Sequence, residues 1–290
     1  MNRLTRLVAV TATAGFAAAS IAALGVASTA SASTHPSKAA AAAAAARAAL
    51  RGITAGLPAT NQAIPGTRSS VKGVTQFESG NWSGYANDNT KGNTYSKVSA
   101  DWTQPKITCP TKEEQLAAFW VGIDGFSSGT VEQDGTLAQC FEGTAFYYTW
   151  WEMFPSNDIQ VVGDTVNGGD KIVASVVKTG TSYALKVTDS TTSGNNVSTT
   201  QTCAAATCVD SSAEWIGEAP SGGRGEIPLP DFKSWKVTSA SATSGSKTAS
   251  ITSWPVDEIT MESDAGYALA TPDNLNSTGT IFTDFWNNSY

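Results

Sequence analysis

The 290-residue sequence predicts an all-β domain, a sandwich or a barrel, over residues 77–290. Three observations carry that expectation. From Phe77 onward, short runs rich in Val, Ile, Thr, Tyr and Trp alternate with Gly, Ser, Asn and Asp, the spacing of strands and turns. Turn-forming stretches such as Val166-Asn167-Gly168-Gly169-Asp170 and Pro220-Ser221-Gly222-Gly223-Arg224-Gly225 recur between the runs. No stretch beyond residue 80 repeats its apolar positions with the 3.6-residue period of a helix.

Individual strands follow from alternation. Val98, Ala100 and Trp102 alternate with polar neighbours, as do Tyr183, Leu185 and Val187, and Ile172 to Val177 is almost wholly apolar. Aromatic residues cluster from Phe146 to Pro155. On a strand, Tyr148, Trp150 and Glu152 share one face and Tyr147, Thr149 and Trp151 the other. A carboxylate among aromatics suggests a polymer-binding groove, with core packing on both faces as the alternative.

Two segments precede the domain. Residues 1–32 place Arg3 and Arg6 before an alanine-rich apolar run ending in Ala30-Ser31-Ala32, the pattern of a secretory signal cleaved after Ala32. The run is too short, and too interrupted by Thr, Ser and Gly, for a membrane anchor. Residues 33–76 contain Lys38, eight alanines from Ala39 to Ala46, Arg47, Arg51, Pro58, Pro65 and Gly66. Alanine favours helix most, but this run has no apolar stripe to bury. The segment is expected to be a helical or disordered pro-segment or linker.

Charge separates the same parts. Residues 1–76 hold seven Lys or Arg and no Asp or Glu, and residues 77–290 hold eleven basic and all twenty-five acidic residues. The net charge of −7 is therefore +7 followed by −14. The basic segment is expected to dock on the acidic domain near neutrality and to leave when carboxylates protonate in acid, with a solvated cationic spacer as the alternative.

The domain contains four cysteines, Cys109, Cys140, Cys203 and Cys208, which in an exported protein suggest two disulfides with three possible pairings. The small loop Cys203-Ala204-Ala205-Ala206-Thr207-Cys208 favours pairing its own ends, and Cys109 with Cys140. No zinc site is expected, because the loop lacks zinc-knuckle spacing and no histidine is near. The only histidine, His35, lies in the segment expected to be discarded. A Ser-His-Asp or Cys-His hydrolase and a His-ligated zinc enzyme are thereby excluded. Chemistry must come from carboxylates, amides, hydroxyls or lysines.

Hydrolysis without imidazole or metal needs a base that takes a proton from water and a donor that stabilises the resulting oxyanion. A carboxylate can be the base and a primary amide the donor. Glu218 and Gln133 are of these types, although residue type alone does not single them out. Asn81-Trp82-Ser83-Gly84-Tyr85, then Phe119 to Gly125, Glu132 to Gly135, Trp150 to Pro155 and Ala213 to Glu218 together resemble, in order and spacing, the glutamic peptidases, or eqolisins. The resemblance covers residues 78–290.

That resemblance implies an antiparallel two-sheet β-sandwich of concanavalin-like form, an acid endopeptidase activity, and a Gln133 and Glu218 dyad. It also implies supporting or substrate-binding roles for Trp120, Asp124, Glu152, Trp82 and Trp150. Glu218 would activate water and then protonate the leaving nitrogen, while Gln133 donates to the oxyanion. No cofactor or metal is implied. This chain departs from the fungal pattern in three places. Glu132 and Asp134 add carboxylates beside the amide, Tyr148 replaces an acidic residue, and Gly217 replaces a β-branched one.

The alternative activity is a glycoside hydrolase using Glu152 and Glu218, which leaves Gln133 without a task. Glu214 cannot partner Glu218, since four strand residues span roughly 13 Å and a retaining pair needs about 5 Å. A lectin-like binding domain is the non-catalytic alternative. The expected protein is a secreted monomer whose partners are protein or peptide substrates and its own pro-segment, with no nucleic acid and no membrane once the signal is removed.

Overall fold

The computed structural model describes residues 36–57, 73–163, 166–192, 196–203 and 208–289, and the backbone of 62–68. The predicted signal, its cleavage site and His35 lie outside the described residues.

Among the described residues one α-helix, α1 (Lys38–Ala49), forms from the alanine run, and Ser37 caps it by accepting from the Ala40 N–H at 3.1 Å. The strands in chain order are β1 (Gln62–Arg68), β2 (Val74–Ser79), β3 (Trp82–Asn87), β4 (Tyr95–Thr103), β5 (Gln115–Ile123), β6 (Val131–Phe141) and β7 (Thr144–Phe154). They continue with β8 (Gln160–Val162), β9 (Lys171–Thr179), β10 (Ser182–Asp189), β11 (Val197–Thr202), β12 (Ala213–Glu218), β13 (Ser221–Gly222) and β14 (Gly225–Glu226). The last are β15 (Ser234–Ser244), β16 (Lys247–Ala249), β17 (Val256–Glu262), β18 (Ala268–Pro272) and β19 (Phe282–Trp286).

Pairing resolves the long strands into two sheets. The first runs β1-β2-β17-β3-β12-β5-β6-β7-β8, antiparallel except for the β2–β17 pair. The second runs β18-β19-β15-β4-β9-β10-β11, all antiparallel, and β17 pairs with β18 where the two sheets meet. Alternation assigns each side chain to a layer. Phe119, Val121 and Trp215 of the first sheet pack between the sheets with Trp102, Val176, Leu185 and Trp235 of the second. This is, but for the β2–β17 pair, the antiparallel two-sheet sandwich that the resemblance implies. The run from Ile172 to Val177 is half-buried, not buried on both faces, with Val173 43% exposed.

The opposite face of the first sheet carries a second apolar cluster. Trp82, Leu116, Ala118, Trp120, Val131, Leu137, Tyr148, Trp150 and Ile216 form it together with Leu50, Ile53 and Ala55 from the chain that follows α1. The alanine helix therefore has little stripe of its own and is held through its end, where Ala46 and Leu50 are buried. Both expected disulfides, Cys109–Cys140 and Cys203–Cys208, are present.

Candidate active site

Glu218 ends β12 on the outer face of the first sheet, and Gln133 lies on β6 on the same face. Between them runs β5, where Ala118 is opposite Glu218 and Gly122 opposite Gln133. Both side chains face the segment around the Ala55–Gly56 peptide. The Gln133 Nε2 amide donates to the Ala55 carbonyl oxygen and, at 2.9 Å, to Glu152 Oε2. The Gly56 backbone N–H supports the Glu218 carboxylate.

Each member of the pair is oriented by neighbours. Trp120 Nε1 donates to Glu218 Oε2 at 2.8 Å, and Asn81 Nδ2 donates to Glu218 Oε1 at 3.3 Å. Glu152 is the cross-strand partner of Gln133 on β7, and its Oε2 also accepts from the Ala55 N–H at 3.0 Å. Trp82 packs edge-on against Trp120 with ring centroids 4.9 Å apart, and its indole N–H donates to the Gly56 carbonyl at 3.2 Å. Gly135 is required beneath this group: a Cβ there would meet the Phe119 carbonyl and lie 2.8 Å from Trp120 Cα.

The predicted residues thus divide. Gln133, Glu218, Trp120, Glu152 and Trp82 surround the same peptide, whereas Trp150 is buried in the cluster under it. Asp124 serves a different purpose. Its carboxylate accepts from the backbone N–H groups of Asp210 and Ser211 at 2.8 and 2.7 Å and from the Ser211 and Ser128 hydroxyls, so it pins the loop entering β12 and touches neither dyad member. Asn81 opens the first of the family-like motifs, but its residue type does not single it out. An amide beside a Trp-rich strand start is a weak signal until the fold brings it to Glu218.

The departures at Glu132, Asp134, Gly217 and Tyr148 acquire physical reasons. Glu132 and Asp134 flank Gln133 in sequence, but the two-residue period turns both to the opposite face of the sheet. They are buried between the layers and do not touch the amide. Gly217 is likewise on the inner face, where a Cβ would lie 2.8 Å from Asp284 Oδ2. The buried Asp284 accepts from Ser83 Oγ at 2.6 Å and fills the space a β-branched side chain would need. Tyr148 donates to Gln139 Oε1 at 3.4 Å, and Gln139 Nε2 donates to the Ala46 carbonyl of α1.

Electrostatics at the pair follow from burial. Loss of water pushes the Glu218 carboxyl well above the usual range, against the opposing effects of hydrogen bonds from Trp120, Gly56, Trp82 and Asn81. Glu152 is raised for the same reason, and next by the charge of Glu218, against support from Ala55 and Gln133. The cover of residues 55 and 56 keeps water from Glu218 and so favours its protonated form. Uncovering the face removes the first cause and leaves the Trp120 and Asn81 donors, which favour the ionised form.

Residues 80–281 match the family model for the peptidase A4 family. The chain belongs to that family. As a family member it is a glutamic peptidase, a hydrolase of peptide bonds. Aspergillopepsin-2 of Aspergillus niger is 27% identical over 244 residues, covering 76% of this chain and 84% of that protein. The crystal structure of scytalido-glutamic peptidase with a transition-state analogue inhibitor shares the fold, with a TM-score of 0.61 and 22% identity over 72% of this chain and 98% of that one. That of aspergilloglutamic peptidase from Aspergillus niger has a TM-score of 0.53 and 28% identity, covering 60% and 99%.

Proposed function

We propose that this peptidase is a secreted acid endopeptidase in which Gln133 and Glu218 act as a dyad on protein or peptide substrates. The observation that carries this reading is that both side chains are tied to one short segment, Gln133 by its amide to the Ala55 carbonyl and Glu218 through Asn81 to the Leu57 carbonyl. In the uncovered site, ionised Glu218 takes a proton from water as its oxygen attacks the carbonyl carbon. Gln133 Nε2–H donates to the oxygen as it becomes negative, in a site where burial strengthens the bond. Glu218 then gives its proton to the leaving nitrogen, and the C–N bond breaks.

Glu152 is a positioning residue in this scheme. By accepting one hydrogen of the Gln133 amide, it leaves the other aimed at the substrate oxygen. Trp120 and Asn81 hold the two Glu218 oxygens, which favours the ionised base in acid once water reaches it. The acidic domain, its two disulfides and the signal-like residues 1–32 support export. Among the described residues, no helix is long and apolar enough to cross a membrane.

A glycosidase using Glu152 and Glu218 would leave the Gln133 contact without purpose. The test is to incubate protein pretreated at about pH 4 with denatured haemoglobin and, separately, with polysaccharides. New peptide termini and no reducing sugar are expected, with the rate greatest in acid. Sugar release without peptide release would refute the proposal.

A further inference from the structure

Residues 53–57 are laid across the dyad as an irregular segment held by an isolated bridge between Thr54 and Ser221. Thr54 and Ser221 exchange backbone hydrogen bonds, N to O at 3.0 Å and 2.9 Å, and the Ile53 carbonyl accepts from the Ile159 N–H at 3.0 Å. On the other side of the dyad, Asn81 Nδ2 donates to the Leu57 carbonyl at 3.1 Å. Ile53 and Ala55 are buried in the outer apolar cluster, with Ala55 fully enclosed. Upstream, Arg47 donates to the Val161 carbonyl at 2.7 Å and Gln139 to the Ala46 carbonyl at 3.1 Å. The occupant is therefore clamped on both sides of a single peptide bond.

We propose that residues 53–57 occupy the active site as a built-in substrate, that they block it while intact, and that Ala55–Gly56 is the bond this peptidase cuts in itself. The inference rests on the Gln133 and Glu218 dyad and adds to it a specific bond and a side-chain preference. In the cleavage, water adds its oxygen to the Ala55 carbonyl carbon and passes a proton through Glu218 to the Gly56 nitrogen. The C–N bond breaks, leaving a carboxyl group on Ala55 and an amine on Gly56.

The occupant leaves Glu218 enclosed. On the leaving side, a Cβ at position 56 would meet the Phe154 ring at an ordinary 3.5 Å. Docking does not depend on ion pairs: the three among the described residues, Lys112–Glu142, Lys178–Asp210 and Lys233–Asp231, involve none of Lys38, Arg47 or Arg51. The expected charge attraction can then act only at longer range. Enclosure of Ala55 further implies that the residue before the cut must be small.

The experiment follows full-length wild-type precursor and Glu218→Gln in acid by intact mass and N-terminal sequencing, with haemoglobin hydrolysis measured in parallel. A new N-terminus at Gly56, in step with the onset of haemoglobin activity, is expected in the wild type alone. If Glu218→Gln loses haemoglobin activity but wild type is cut only elsewhere, for instance before Phe77, the self-cleavage inference falls and the dyad stands. If both proteins hydrolyse haemoglobin equally, the dyad itself falls. A synthetic peptide of residues 50–61, given to activated wild type, gives a readout independent of precursor folding. It is expected to be cut after Ala55, and Ala55→Phe in that peptide to reduce cleavage at least 100-fold. No cut at that bond in the parent peptide, or equal cleavage of both peptides, would overturn the bond or the small-residue preference respectively.

Discussion

Gln133→Ala in the activated enzyme is expected to lower the rate of peptide hydrolysis by about 10²–10³-fold with little change in folded stability, as removal of one oxyanion donor does elsewhere. The side chain faces outward from β6 and contributes no apolar packing to the inter-sheet core. Its loss removes the proposed donor to the substrate oxygen and deprives Glu152 Oε2 of the amide it holds. The loss is expected in kcat more than in KM, because the negative oxygen exists only in the transition state. Steady-state kinetics on a peptide substrate check this. Full activity in Gln133→Ala would favour a chemistry based on the two carboxylates alone.

The second large effect concerns stability. Glu132, Asp257 and Asp284 are pushed up to about 9, about 8 and about 7, in each case chiefly by burial, and Asp134 and Glu214 are raised well above the usual range for the same reason. In the unfolded chain these groups titrate near pH 4. Below that pH both states are protonated and the full contribution to stability is present. As pH rises, the unfolded chain loses protons that the folded one retains, so stability falls until the folded groups titrate, between about pH 7 and pH 9. A tenfold difference in proton affinity between the folded and unfolded chain corresponds to about 1.4 kcal/mol, so several such groups together are comparable with the ~5–15 kcal/mol of an ordinary domain.

Melting curves are therefore expected to give a Tm highest at about pH 3–4 and lower by tens of degrees at pH 8–9. Asp284→Asn, which can retain the Ser83 bond without ionising, is expected to lessen the alkaline loss. A Tm independent of pH between 4 and 9 would contradict this linkage. The same carboxylates suit the fold to acid, where their burial requires no charge.

Much of the fold was legible because alternation is a local property. Val98, Ala100 and Trp102 predict a strand with one buried face, and all three are buried between the sheets. The aromatic strand was also legible, with Tyr148, Trp150 and Glu152 on one face as the period requires. Sheet order was not, since β12 lies between β3 and β5 through pairings separated by many residues. Glu132 and Asp134 adjoin the amide in sequence, which suggests that they flank it in space, and the same alternation carries them to the other face.

The covering segment was the least legible part. Nothing in Ile53-Thr54-Ala55-Gly56-Leu57 marks it as a ligand, because its partners, Ser221, Ile159, Gln133 and Asn81, come from four distant parts of the chain. The helix before it shows the reverse. Its alanines form a helix by propensity, as expected, but within it Ala46 is the one fully buried residue, with Leu50 buried just beyond its end.

One comparison tests the central claim most directly: the initial rate of denatured haemoglobin hydrolysis across pH 2–7 by activated wild type and by Glu218→Gln freed of residues 36–55 by an external protease. Loss of the base at position 218 is expected to remove at least 10²–10⁴-fold of the rate at every pH, with binding of a substrate peptide retained. Equal rates in the two proteins would show that peptide bonds are cut here without that carboxylate.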